Sequence, residues 1–113
     1  MTADRYGKVI MVLIRKLSER LTILFMAKFD ELIEETKSEI RILLRNPDVR
    51  PAFMTYDQLR DVQSEICRMA RVRNPEIFFP YYPKGMADAC WLPDHPLVIK
   101  LNLILDLYIN REF

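Results

Sequence analysis

The sequence predicts an all-α fold, a small helical bundle, and three observations carry that prediction. A stretch of about forty residues, 5–45, contains no proline and only Gly7 to weaken a helix. A second stretch opens on Thr55 with Gln58 three positions on and closes at Asn74-Pro75, the punctuation of a capped helix. Finally, the one segment that alternates like a strand, near the C-terminal end, has no second strand to pair with. The expected order is a long N-terminal helix at about 5–45 (or a helical hairpin), a middle helix at about 55–73, an irregular Pro/aromatic loop at 75–96 and a C-terminal helix at about 97–111. All of it forms a single helical domain.

The long stretch reads as helix from its period. Ile10, Ile14, Leu17, Leu21, Leu24, Phe25, Phe29, Leu32, Ile33, Ile40, Leu43 and Leu44 recur at spacings of three and four, which keeps one apolar stripe on one face. Lys16, Arg20, Lys28, Glu31, Glu34, Glu35 and Arg41 form the wet side. At 1.5 Å per residue such a helix is roughly 60 Å long, against a diameter near 35 Å for a compact domain of this size. Either it folds into a hairpin, breaking at 17–19 or 36–39, or a second copy covers its stripe. Charge divides the same stretch. Lys8, Arg15, Lys16, Arg20 and Lys28 face only Glu19 in the first half, whereas Asp30, Glu31, Glu34, Glu35 and Glu39 face only Lys37 in the second. Unlike halves meet when helices run antiparallel, within one chain or between two. A homodimer is therefore expected, self-associating through Ile14, Leu17, Leu21, Phe25 and Phe29.

Asn46-Pro47 ends that helix, since proline cannot continue it. Thr55 and Gln58 form a capping box, Met54 and Leu59 a hydrophobic staple, and Leu59, Val62, Ile66, Met69 and Ala70 the core face of the middle helix. Its acids come early and its arginines late, as the helix dipole prefers. Arg60, Arg68, Arg71 and Arg73 are candidate phosphate contacts in an alternative reading, a nucleic-acid-binding protein using the Arg45 to Arg73 region. The formal net charge of only +1 weighs against it.

From Pro75 to Pro96 five prolines accompany Phe78, Phe79, Tyr81, Tyr82 and Trp91. Prolines 80 and 83 bias this run toward extended backbone. Its aromatic side chains either close over the helices as a lid or form an adhesive surface. Phe79, Tyr81, Tyr82 and Trp91 are the candidate partner-binding residues. Asp88, Cys90, Asp94 and His95 fall in the same loop, but they lack the paired spacing of structural zinc sites. His95 before Pro96 reads as a helix start. A metal-dependent enzyme around Cys90 and His95 is thus the weakest alternative, and no metal and no cofactor is assigned.

Leu97 to Arg111 alternates apolar residues, yet Asn102, Asp106 and Asn110 sit four apart and leucine dominates, which favours a mostly buried helix. Pro96 suits its first turn.

Composition bounds the function. Half of the 113 residues are apolar, and two cysteines are too few for a disulfide framework, so an intracellular, cytoplasmic setting is expected. No apolar run approaches the roughly twenty residues of a membrane span, so no membrane partner is expected. No nucleotide-binding or nucleophile motif is present. The expected protein is not an enzyme. It acts by protein contact as a small adaptor, regulator or inhibitor, presenting the aromatic loop or the Arg-bearing helix to a protein partner.

Overall fold

The computed structural model describes residues 28–113, and every regular element among them is a helix: α1 (Lys28–Arg45), α2 (Tyr56–Val72), α3 (Tyr82–Asp88) and α4 (Pro96–Ile109). They form a small helical bundle. α1 packs against both α2 and α4, and α3 packs against α2.

Helix α1 buries Phe29, Leu32, Ile33, Thr36, Ile40 and Leu43, one stripe at helical spacing. Thr36, fully buried, donates its hydroxyl to the Leu32 carbonyl at 2.7 Å, so no polar atom is stranded. This stretch, one of the two places where a hairpin could break, therefore continues as helix. The other, 17–19, lies outside the described residues, as does the expected helix before Lys28. Asn46 ends α1 by donating both its backbone N–H and its side-chain amide to the Ile42 carbonyl.

Helix α2 starts on the expected capping box. Thr55 Oγ1 accepts from Gln58 N at 3.2 Å while Thr55 N donates to Gln58 Oε1 at 3.1 Å. Met54 and Leu59 are both buried, as a staple requires. Its core face, Leu59, Val62, Ile66 and Met69, meets α1.

The stretch 75–96 departs from the irregular loop expected, because α3 lies inside it. Pro83 is the reason: proline in the first turn has no N–H to lose and a φ already suited to helix. Helix α4 begins where expected, with His95 Nδ1 accepting from Leu97 N at 3.1 Å and Pro96 at the first position. It buries Leu97, Val98, Leu101, Ile104, Leu107 and Tyr108, and exposes Asn102, Asp106 and Asn110. A half-buried ion pair, Lys100 Nζ to Glu39 Oε2 at 2.6 Å, joins it to α1.

In a chain with two glycines, other residues must turn the helix ends. Arg73, Cys90 and Arg111 adopt the left-handed conformation, with φ of 51°, 55° and 55°. After α3 the Trp91 N–H donates to Met86 O and the Cys90 N–H to Ala87 O, and after α4 the Glu112 N–H donates to Leu107 O and the Arg111 N–H to Tyr108 O. Both pairs form the Schellman arrangement. Left-handed backbone costs a side chain about 1–2 kcal/mol, and glycine's greater freedom when unfolded returns about 0.5–1 kcal/mol of that. Cys90 is exposed and free. Cys90→Gly is expected to stabilise the fold by about 0.5–1 kcal/mol in denaturant titration, and an unchanged midpoint would count against this geometry.

Candidate functional site

The site is built on the six residues from Ile77 to Tyr82. Asn74 Oδ1 accepts from Glu76 N at 2.9 Å, and the N–H groups of Ile77 and Phe78 donate to the Asn74 carbonyl, so the chain turns directly after α2. From there the backbone runs without regular structure to α3. Its side chains alternate. Ile77, Phe79 and Tyr81 are 72%, 56% and 60% exposed, while Phe78 is partly buried, Pro80 is buried and Tyr82 is 2% exposed. Exposure thus alternates along the segment, from the turn at Ile77 to Tyr81, whose φ of −85° and ψ of −21° lead the chain into α3. The segment is both lid and surface.

Its inner side is pinned at three points. Tyr108 Oη lies 2.7 Å from the Phe78 carbonyl and 3.0 Å from that of Asn74, with one proton to share between them. The Arg68 guanidinium stacks over the Phe78 ring at 4.5 Å. Tyr82 Oη donates to the Leu101 carbonyl at 2.7 Å, tying the start of α3 to α4. Burial pushes the Tyr82 hydroxyl pKa far above its ordinary value, so it remains a donor.

Glu65 on α2 holds the start of α3. Its Oε1 accepts from Tyr81 N at 2.7 Å and its Oε2 from Tyr82 N at 2.8 Å, a carboxylate cap supplied by a neighbouring helix. Burial lifts the Glu65 carboxyl above the ordinary value of 4.5, the two N–H groups pull it partly back, and Asp61 raises it again. The native state therefore binds more protons than the unfolded chain from about pH 4.5 up to the raised value. This group's contribution is full below that window and falls as pH rises through it. The melting-temperature difference between the natural chain and Glu65→Gln is expected to narrow as pH is raised from 4 to 7, and a widening difference would contradict this environment.

Between α2 and α3 lies a pocket of about 290 Å³, walled by Val62, Tyr81, Tyr82, Met86 and Trp91, with Gln58, Asp61, Glu65 and Asp88 as its polar groups. Trp91 is 7% exposed, and its indole Nε1 is buried without a hydrogen-bond partner among the described residues. The turn after α3 puts it there. Trp91 occupies the Schellman position that packs back on the helix it follows, and Met86, the residue accepting its N–H, is buried with it.

Of the four aromatic residues expected to meet a partner, Phe79 and Tyr81 are exposed, whereas Tyr82 and Trp91 belong to the core. The correction for Tyr82 follows from its place at the first position of α3, where its hydroxyl reaches the Leu101 carbonyl, and that for Trp91 from the helix end. Phe29, expected at a self-association surface, is fully buried, with its ring 6.0 Å from Tyr108 and 5.0 Å from Phe113. Ile14, Leu17, Leu21 and Phe25 lie outside the described residues.

Three of the four arginines proposed for nucleic acid have partners within the fold. Arg60 stacks on Tyr56 at 5.9 Å, Arg68 on Phe78, and Arg73 pairs with Asp30, with Nη2 2.6 Å from Oδ2. Only Arg71 stands apart from such contacts among the described residues. His95 Nδ1 is occupied by its capping bond, and no three His, Cys, Asp or Glu side chains among the described residues converge as metal donors. No described helix is long and apolar enough to cross a membrane.

Sequence reading missed the pocket and its acidic residues, Asp61, Glu65 and Asp88. Pro83 was the available signal, since a helix beginning there needs a cap from elsewhere. Comparisons with protein-family models, curated proteins and solved structures found no match for this chain.

Proposed function

We propose that this chain is a non-enzymatic protein-interaction protein, a small adaptor, regulator or inhibitor, that binds its partner through the outer side of 77–81. The alternation of that segment supports the reading. Three large apolar side chains, Ile77, Phe79 and Tyr81, stand in solvent on a backbone whose alternate residues are anchored in the core, so the surface is held in place before a partner arrives. Binding to a pre-ordered surface avoids the entropy of ordering it. Rows of exposed apolar side chains with a tyrosine at one end are the composition of interface centres.

Phe79→Ala combined with Tyr81→Ala is expected to weaken retention of the partner at least tenfold, since hot-spot truncations cost about 2 kcal/mol or more. Unfolding free energy should stay within about 0.5 kcal/mol. Undiminished retention would remove the reading. The rival of nucleic-acid binding predicts salt-dependent association with DNA or RNA that Arg68→Glu with Arg71→Glu abolishes. The homodimer expected from the sequence is a separate part of the proposal, carried by Ile14, Leu17, Leu21 and Phe25. Light scattering at several concentrations should show a dimer that Leu21→Glu dissociates, and a monomer at all concentrations would exclude it.

A further inference from the structure

The pocket beside Tyr81 has a chemistry of its own. Asp61, Glu65 and Asp88 contribute three carboxylates to its lining, and no described lining residue is basic. Since the whole chain is nearly neutral, this excess is local. Lys84 on α3 lies over the Tyr81 ring at 6.0 Å but is not among the lining residues. Both Glu65 oxygens already accept one backbone N–H each, and each keeps a second lone pair. Against these acids stand Val62 and Met86 and the rings of Tyr81, Tyr82 and Trp91.

A long side chain with an apolar stem and a cationic head matches such walls: the stem lies along the apolar residues, and the head meets carboxylates and ring faces. Size agrees. A pocket of about 290 Å³ stands at the lower end of the roughly 300–1,000 Å³ of sites for drug-sized ligands, and it has room for one long side chain. The indole N–H of Trp91, in the same wall, is fully covered and has no hydrogen-bond partner among the described residues, and an orphaned buried donor costs about 1–3 kcal/mol.

We infer that this pocket receives a lysine or arginine side chain of a partner protein, whose adjoining apolar residues lie along Tyr81, Phe79 and Ile77. The inference rests on the proposed interaction surface, with which the pocket is continuous through Tyr81. It adds the charge of the partner: a basic residue set next to an apolar stretch.

Trp91 is the only tryptophan in the chain, so its fluorescence reports the pocket directly. The probes are N-acetyl-arginine methylamide and N-acetyl-lysine methylamide, with N-acetyl-norleucine methylamide as the uncharged control, titrated into the full chain. The expected result is a saturable change in Trp91 emission with either basic probe, at least tenfold weaker with norleucine. Added salt should weaken it, and Asp61→Asn with Asp88→Asn should abolish it. Both aspartates are exposed, and an unchanged melting temperature will show that the double variant is folded. Equal response to norleucine, or no response to the basic probes, overturns the inference. If the basic probes bind but Phe79→Ala with Tyr81→Ala leaves partner retention intact, the pocket is a site for a free amine and the partner assignment fails. If that double variant loses the partner while no basic probe binds, the interaction surface stands without the pocket.

Discussion

Tyr82→Ala is expected to lower the unfolding free energy by about 3–5 kcal/mol, the range for removing a buried aromatic ring. Two things are lost together. The ring is 2% exposed and walls the pocket against α2, and its hydroxyl holds the Leu101 carbonyl of α4. The backbone N–H that Glu65 caps survives in the variant, so the whole cost is side chain. Tyr82→Phe isolates the hydroxyl and should cost about 1–2 kcal/mol, the worth of a buried hydrogen bond together with an acceptor left bare. Tyr81→Ala, one residue earlier, should stay within about 0.5 kcal/mol. Chemical denaturation of the three variants checks this. Similar losses at 81 and 82 would mean that the two sides of the segment are not distinct.

Phe29→Ala should cost a similar amount, about 3–5 kcal/mol. The ring stands stacked on Tyr108 and edge-on to Phe113, with the Arg73 guanidinium 6.0 Å from its centre. Arg73 also donates to Asp30 and, through Nε, to the Ala70 carbonyl. One cluster thus joins the start of described α1, the end of α2 and the end of α4. Removing the ring opens a cavity at that junction, and collapse is limited because three elements would have to move together. A loss under about 1 kcal/mol would show that Phe29 serves a surface instead.

The fold was legible wherever a local rule decides. Thr55 with Gln58, Asn46 before Pro47 and His95 before Pro96 each fix a helix end through bonds a few residues long, and each forms as expected. The candidate site was legible only in part. Its aromatic run was visible in composition, but which rings face inward depends on partners distant in sequence: Tyr108 and Leu101 anchor Phe78 and Tyr82 from α4, and Glu65 anchors Tyr81 and Tyr82 from α2. Trp91 was misread for a different reason. The turn that buries it normally advertises itself with glycine, and here Cys90 takes the left-handed position.

Site-specific photo-crosslinking tests the interaction surface most directly. Benzoylphenylalanine placed at Phe79, in cells that make the protein, should give one discrete adduct with a partner. The same residue at Ile42, equally exposed on α1 at 57%, should give none. The adduct should also disappear when Asp61→Lys reverses the charge at the mouth of the adjoining pocket. A crosslink of equal strength from both positions, or none from Phe79, would contradict a partner surface on the outer side of 77–81.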